Sequence, residues 1–187
     1  MKIILFESVD KVGKTLIIQK MKEVIKQNNK IPIIFTVSYE IECKNSNDTT
    51  ERLKLSNILL DKMINRYNDN YICLIDGHHI SEMAYGNKLR DGYNTETCKA
   101  IDFFLSAYST LLIQIRPDDI LKNFDKFKNK DNKLDGFLKR DYISLLHNFA
   151  IICEESSLEK ICIKTSEINT ENILKILERI GGLNVQR

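Results

Sequence analysis

What this sequence lacks narrows it first. Neither sign of charge dominates: 28 Lys and Arg stand against 26 Asp and Glu, a formal excess of +2. That balance gives no general case for a nucleic-acid or membrane-surface partner, so any phosphate chemistry has to be local. The five cysteines, Cys43, Cys73, Cys98, Cys153 and Cys162, are odd in number and form no CxxC pair. They read as small hydrophobes in a reducing cytosol rather than as a disulfide framework. No run approaches the roughly 18 apolar residues of a membrane helix, and the short "IILF" after Met1 stops at Glu7. The expectation is a soluble, unsecreted, cytoplasmic protein. Internal repeats and an interdomain linker are missing too, which leaves one domain spanning 1–187.

What is present suits that size. With 187 residues and 43% hydrophobic content, the chain can bury a substantial core without disulfides or structural metal. Short β-prone apolar runs recur at 2–6, 31–36, 71–76, 110–115 and 160–164. Between them lie amphipathic segments that predict helices near 14–28, 50–66, 94–107, 117–127, 136–150 and 170–180. Near-continuous apolar strands alternating with helices are the pattern of a parallel sheet covered on both faces. The fold class expected is therefore α/β, a three-layer sandwich with a central parallel sheet of about five strands flanked by helices. Two polar stretches, "ECKNSNDTTE" (42–51) and "KFKNKDNKLDG" (126–136), read as loops on the rim of a site, because ligands of such sheets gather at the carboxyl ends of the strands.

The first strand runs into "FESVDKVGKT" and then a helix. A helix N-terminus exposes unpaired N–H groups and partial positive charge, and a preceding turn that aims further N–H groups at one point can hold a phosphate. In the pattern G-x-x-x-x-G-K-T, the loop residues Ser8, Val9, Asp10, Lys11, Val12 and Gly13 bind ATP. Lys14 reaches its outer phosphates, and the Thr15 hydroxyl serves Mg²⁺. Ser8 stands where the first glycine belongs, at small cost if that position does not need positive φ. The competing reading is a chance tripeptide opening a surface helix.

The segment resembles the opening of thymidylate kinases, whose loop reads approximately F-E-G-x-D-x-x-G-K-T. Phe6, Glu7, Asp10, Gly13, Lys14 and Thr15 match it. In that family the acid at the position of Asp10 faces the 3′-hydroxyl region of the acceptor; read without the family, Asp10 is an ordinary cap or turn residue. The third strand ends in "LIDGHHISEMAYG" (74–86), which is similar to the family's D-R-Y/H-x-x-S-x-x-A-Y through Asp76, His78, Ser81, Ala84 and Tyr85. The resemblance implies that Asp76 holds Mg²⁺ through water and that Lys14, Asp10 and Asp76 are catalytic. It also implies that Asp10, His78, Ser81, Tyr85 and Lys62 line the acceptor.

Gly77 replaces the arginine with which the family grips the acceptor phosphate. Two readings stand for the neighbouring His78, a protonated imidazole donating to phosphate or a residue that simply begins a helix. His79 reads as a residue that simply begins a helix, and His147 as a partly buried helix residue. Lys62, in "LKLSNILLDKMINRY" (53–67), falls where the family carries an arginine, and it is either a phosphate contact or a solvated lysine. The lid position, near 126–136, offers lysines in place of the family's arginines. The resemblance implies transfer of the γ-phosphoryl of ATP, with Mg²⁺, to dTMP or dUMP by a divergent, viral- or phage-type member, in host cytoplasm if viral. The partners implied are small nucleotides, with no nucleic acid and no membrane, and a homodimer in common with relatives. Two alternatives remain: a catalytically weakened binding or regulatory protein of this fold, and a deoxynucleoside kinase.

Overall fold

The structure, a computed structural model, describes residues 1–27, 33–38, 46–67, 71–89, 92–128 and 138–181. Strands β1 (Lys2–Glu7), β2 (Ile33–Ser38), β3 (Ile72–Asp76), β4 (Thr110–Arg116) and β5 (Glu159–Lys164) form one sheet in the order β2-β3-β1-β4-β5. Every pairing is parallel. The connecting helices are α1 (Lys14–Gln27), α2 (Ser46–Arg66), α3 (His79–Leu89), α4 (Thr95–Ser106), α5 (Ile120–Lys128), α6 (Lys139–Glu155) and α7 (Thr170–Arg179). Helix α1 packs on α7, while α3 packs on α2, α4 and α6. The architecture is the three-layer α/β sandwich expected from the alternation of apolar strands and helices.

Central strand β1 shows why the pattern works. Ile3, Ile4, Leu5 and Phe6 are all fully buried, each worth roughly 2 kcal/mol of apolar burial, so both faces of the strand must be covered. Sequence order then decides where a ligand can sit. The chain builds β1, β2 and β3 on one side and crosses to β4 and β5 on the other, which opens a crevice beyond the carboxyl end of β1. Phe6 pairs with Asp76 and Glu7 with Gln114, so the loop after β1 and the acid ending β3 emerge side by side.

Several boundaries differ from expectation. Helix α2 starts at Ser46, not at 50, with Asp48 in its first turn complementing the helix dipole. Half of the polar stretch 42–51 is therefore helical, and 42–45, with Cys43, lie outside the described residues. Helix α6 starts at Lys139, not at 136, where Leu138 N–H donates to the Asp141 carboxylate at 2.9 Å. Of the lid segment, 126–128 end α5, and 129–136, with Lys130 and Lys133, lie outside the described residues. Helix α3 is an addition to the six expected. No helix among the described residues is long and apolar enough to cross a membrane.

Candidate active site at the carboxyl end of the sheet

The loop between β1 and α1 turns on two residues with positive φ, Lys11 at 65° and Gly13 at 115°. Ser8 is not among them, so this position has no need of glycine's backbone freedom. Its hydroxyl donates to Val9 O at 2.7 Å, and its own carbonyl accepts from Lys14 Nζ at 3.2 Å. Val9 and Val12 are buried and anchor the loop, whereas Lys11 and Thr15 are exposed. Thr165, just after β5, braces the far side: its Oγ1 lies 2.7 Å from Val12 O and 3.2 Å from Arg116 O.

Lys14 stands between two carboxylates. Its Nζ is 3.9 Å from Asp10 Oδ1 and 3.7 Å from Asp76 Oδ1, which gathers the three residues expected to be catalytic around one ammonium group. A lysine on its flexible stem can trade such partners for a phosphate oxygen without moving the backbone. Asp10 is held from below, because its N–H donates to the Tyr85 hydroxyl at 2.9 Å. Tyr85 is itself buried, edge-on to Phe149 at 5.5 Å between ring centres. Burial, then the nearby Asp10 charge, pushes its phenol well above the ordinary 10.0. Tyr85 thus acts on the site by fixing the loop backbone.

Beneath the loop lies a residue that sequence reasoning matched to the motif without assigning it a role. Glu7 is fully buried, and its carboxylate accepts from His78 N–H at 2.8 Å and from the Ser81 hydroxyl. Burial pushes its pKa above 4.5 against the opposing pull of Lys14. An acid closing an otherwise apolar strand was the available signal. Ser81, expected to line the acceptor, is likewise buried and bonded to Glu7.

His78 departs from the cationic reading. It is fully buried, its Nε2 lies 3.2 Å from Ser56 Oγ, and its Nδ1 lies 3.3 Å from His79 Nδ1. Burial, followed by the neighbouring His79, pulls its pKa down to about 3, so at neutral pH it carries no charge to offer a phosphate. Gly77 is no simple loss of arginine either. Its φ of 72° is a conformation that side-chain-bearing residues resist, and its N–H donates to Phe6 O at 2.9 Å. Lys62 is exposed on α2, at a cavity of about 330 Å³ between that helix and β3. Ser56, Leu60, Met63, Arg66 and Ile75 share its lining.

The donor set fits magnesium. No group of three or more His, Cys, Asp or Glu gathers as a metal cage among the described residues. Thr15 and Asp76 instead offer hard oxygen donors at the loop, which suits an ion that takes few protein ligands and completes its shell with phosphate and water.

No family model matches the chain, and no curated protein does. Solved structures match it over nearly all its length. The YorR protein of Bacillus subtilis, in complex with phosphorylated GDP, aligns over 95% of this chain and 98% of that one, with a TM-score of 0.64 and 18% identity. Thymidylate kinase from Candida albicans aligns over 97% and 92%, with a TM-score of 0.56 and 15% identity. Deoxyadenosine kinase from M. mycoides, with the products dCMP and dCDP bound, aligns over 98% and 100%, with a TM-score of 0.56 and 13% identity. The chain has the α/β phosphate-loop fold of these three structures, two of which are kinases.

Proposed function

We propose that the chain transfers the γ-phosphoryl of ATP to a pyrimidine deoxynucleoside monophosphate, dTMP or dUMP, giving the diphosphate. The observation that carries this reading is Lys14, held within 4 Å of both Asp10 and Asp76 beside a loop that turns through positive φ at Lys11 and Gly13 into the N-terminus of a helix. Phosphoryl transfer asks little covalent chemistry of a protein and much positioning and charge. Loop amides between Val9 and Thr15, other than that of Asp10, which Tyr85 holds, cradle the donor phosphates, and the Lys14 ammonium follows the charge that develops on the transferred group. Thr15 and Asp76, the latter through water, are the residues that would hold Mg²⁺, which would supply positive charge against the phosphates. Asp10, with its N–H tied to Tyr85, keeps its carboxylate toward the acceptor sugar. Lys62 supplies a cation on the acceptor side, with Arg66 on the same helix one turn away. The compartment that suits this chemistry is the cytoplasm.

A second reading has its own observation. With Gly77 at positive φ and His78 uncharged, the segment that follows β3 presents no cation to an acceptor phosphate. An acceptor one phosphate shorter, a deoxynucleoside, needs none, and a binding module with weakened catalysis needs none either.

Lys14→Ala tests the loop assignment. Turnover with Mg-ATP is expected to fall below detection while circular dichroism on the same preparation matches the parent, since Lys14 contributes charge at a partly buried helix start and is not part of the apolar core. Near-parental turnover would overturn the reading.

A further inference from the structure

His78 and His79, at the start of helix α3, close a hydrogen-bonded chain from the cavity beside α2 to Asp102 on α4. At one end, Asp102 on α4 accepts from Ser156 Oγ at 2.6 Å, Ser157 N–H at 2.8 Å, Ser157 Oγ at 2.6 Å and the His79 ring at Nε2, 3.0 Å away. Burial raises the Asp102 carboxyl, but these donors outweigh it and hold it below the ordinary carboxylate value. An ionised carboxylate can only accept, so His79 must carry a proton on Nε2. Three other donors already serve the carboxylate, and the chain that follows holds for His79 in its neutral, Nε2-protonated form. Neutral His79 then has its lone pair on Nδ1, 3.3 Å from His78 Nδ1. Two lone pairs cannot face each other there, and His78 must donate from Nδ1. Its Nε2 is therefore an acceptor and takes the proton of the Ser56 hydroxyl, 3.2 Å away. With His79 neutral, each step leaves one choice for the next.

The consequence appears at the cavity wall. Ser56 lines the cavity of about 330 Å³ with Leu59, Leu60, Met63, Tyr67 and Ile75. That size is at the small end of ligand pockets, and a mostly apolar wall in which Ser56 is the polar group held in place, beside the flexible cations Lys62 and Arg66, suits a flat base. A free serine hydroxyl rotates and can donate or accept. This one has committed its proton to His78, so its oxygen can only accept from a ligand.

Resting on the nucleotide-kinase reading above, we propose that Ser56 is a specificity-determining residue of the acceptor side, which the buried chain His78–His79–Asp102 holds as a hydrogen-bond acceptor toward a nucleobase edge that donates an N–H. Such an edge is the imide N–H of thymine or uracil. A base whose edge offers only lone pairs or a methyl group meets an oxygen that cannot answer, and polar sites reject such analogues more strongly than apolar pockets reject a change of size.

Two measurements test this on the full chain. Side-chain ¹⁵N NMR near pH 8, about 1.5 units above the ordinary histidine value, should find His79 protonated at Nε2 alone and His78 at Nδ1 alone. A proton on Nε2 of His78, or a doubly protonated His79, overturns the proposal whether or not the protein is a kinase. Calorimetric binding of dTMP and its N3-methyl analogue, independent of turnover, gives the second readout. The parent should bind dTMP roughly 5- to 10-fold more tightly than the analogue, the worth of one hydrogen bond. Ser56→Ala should bring the ratio close to one, and Ser56→Thr, which keeps the hydroxyl, should restore it. An unchanged ratio in Ser56→Ala, or no preference in the parent, refutes the assignment. Binding with the expected ratio but no turnover refutes the kinase reading instead.

Discussion

Replacing Glu7 probes how the loop is anchored. In Glu7→Ala, His78 N–H and the Ser81 hydroxyl lose the acceptor they share in a place from which water is excluded. Each orphaned donor costs about 1–3 kcal/mol, and relief from burying a carboxyl returns part of it. A net loss of about 3 kcal/mol is expected, which for a domain of this size lowers Tm by roughly 6–12 °C. Glu7→Gln keeps an acceptor for His78 N–H and lets Ser81 accept in place of donating, so its change should stay within about 1 kcal/mol. The parent and Glu7→Gln also separate in pH. Because burial raises the folded carboxyl above 4.5, the folded state binds the proton more tightly than the unfolded one. The resulting stability is complete below that value and is lost as pH rises through the folded value. Parent stability relative to Glu7→Gln should therefore fall as pH rises from about 4.5 through the raised value of the folded carboxyl. Urea unfolding monitored by circular dichroism across that range measures both effects. A Glu7→Ala protein as stable as the parent, or a parent that gains on Glu7→Gln with rising pH, would refute the reasoning.

Ser8→Gly should retain its activity, because the native φ there is not positive and the hydroxyl serves only Val9 O; loss of most turnover would make the hydroxyl a participant. Gly77→Arg, which restores a motif residue, should instead destabilise by about 1–2 kcal/mol in thermal unfolding, the cost of a side chain at a left-handed φ, and Gly77→Ala should cost about the same. In Gly86→Ala the added Cβ would lie 2.8 Å from Gly92 O and from Tyr93 Cβ. The crowding, about 1–3 kcal/mol, should exceed the gain in helix propensity of about 1 kcal/mol, and a raised Tm would contradict it.

The sheet was legible in the sequence because its strands are buried on both faces and read as apolar runs, and the phosphate loop because Gly13, Lys14 and Thr15 open a helix directly after one of them. Helix α3 was hidden for a related reason. Of His79 to Gly86 only Met83 is not buried, so the segment has no polar face and offers no helical period to read. That packing also decides the fate of the second motif: Ser81 and Tyr85 keep their spacing yet spend their hydroxyls on Glu7 and Asp10 N–H. The partners of His78 come from α2 and, through His79, from α4. Such contacts join residues far apart in the chain, and spacing along one strand of sequence carries no trace of Ser56 or Asp102. Helix α2 misleads in the other direction, with Leu55, Ile58 and Leu59 exposed where an apolar pattern suggests a face turned inward.

The most direct test of the central claim is transfer itself. Purified protein with Mg-ATP labelled at the γ-phosphate is given dThd, dTMP, dUMP and dCMP in parallel, and the products are separated by chromatography. The account predicts label in the diphosphate of dTMP or dUMP. Label passing only to the nucleoside would contradict it in favour of a deoxynucleoside kinase, and ATP bound without transfer to any of the four would contradict it in favour of a binding module.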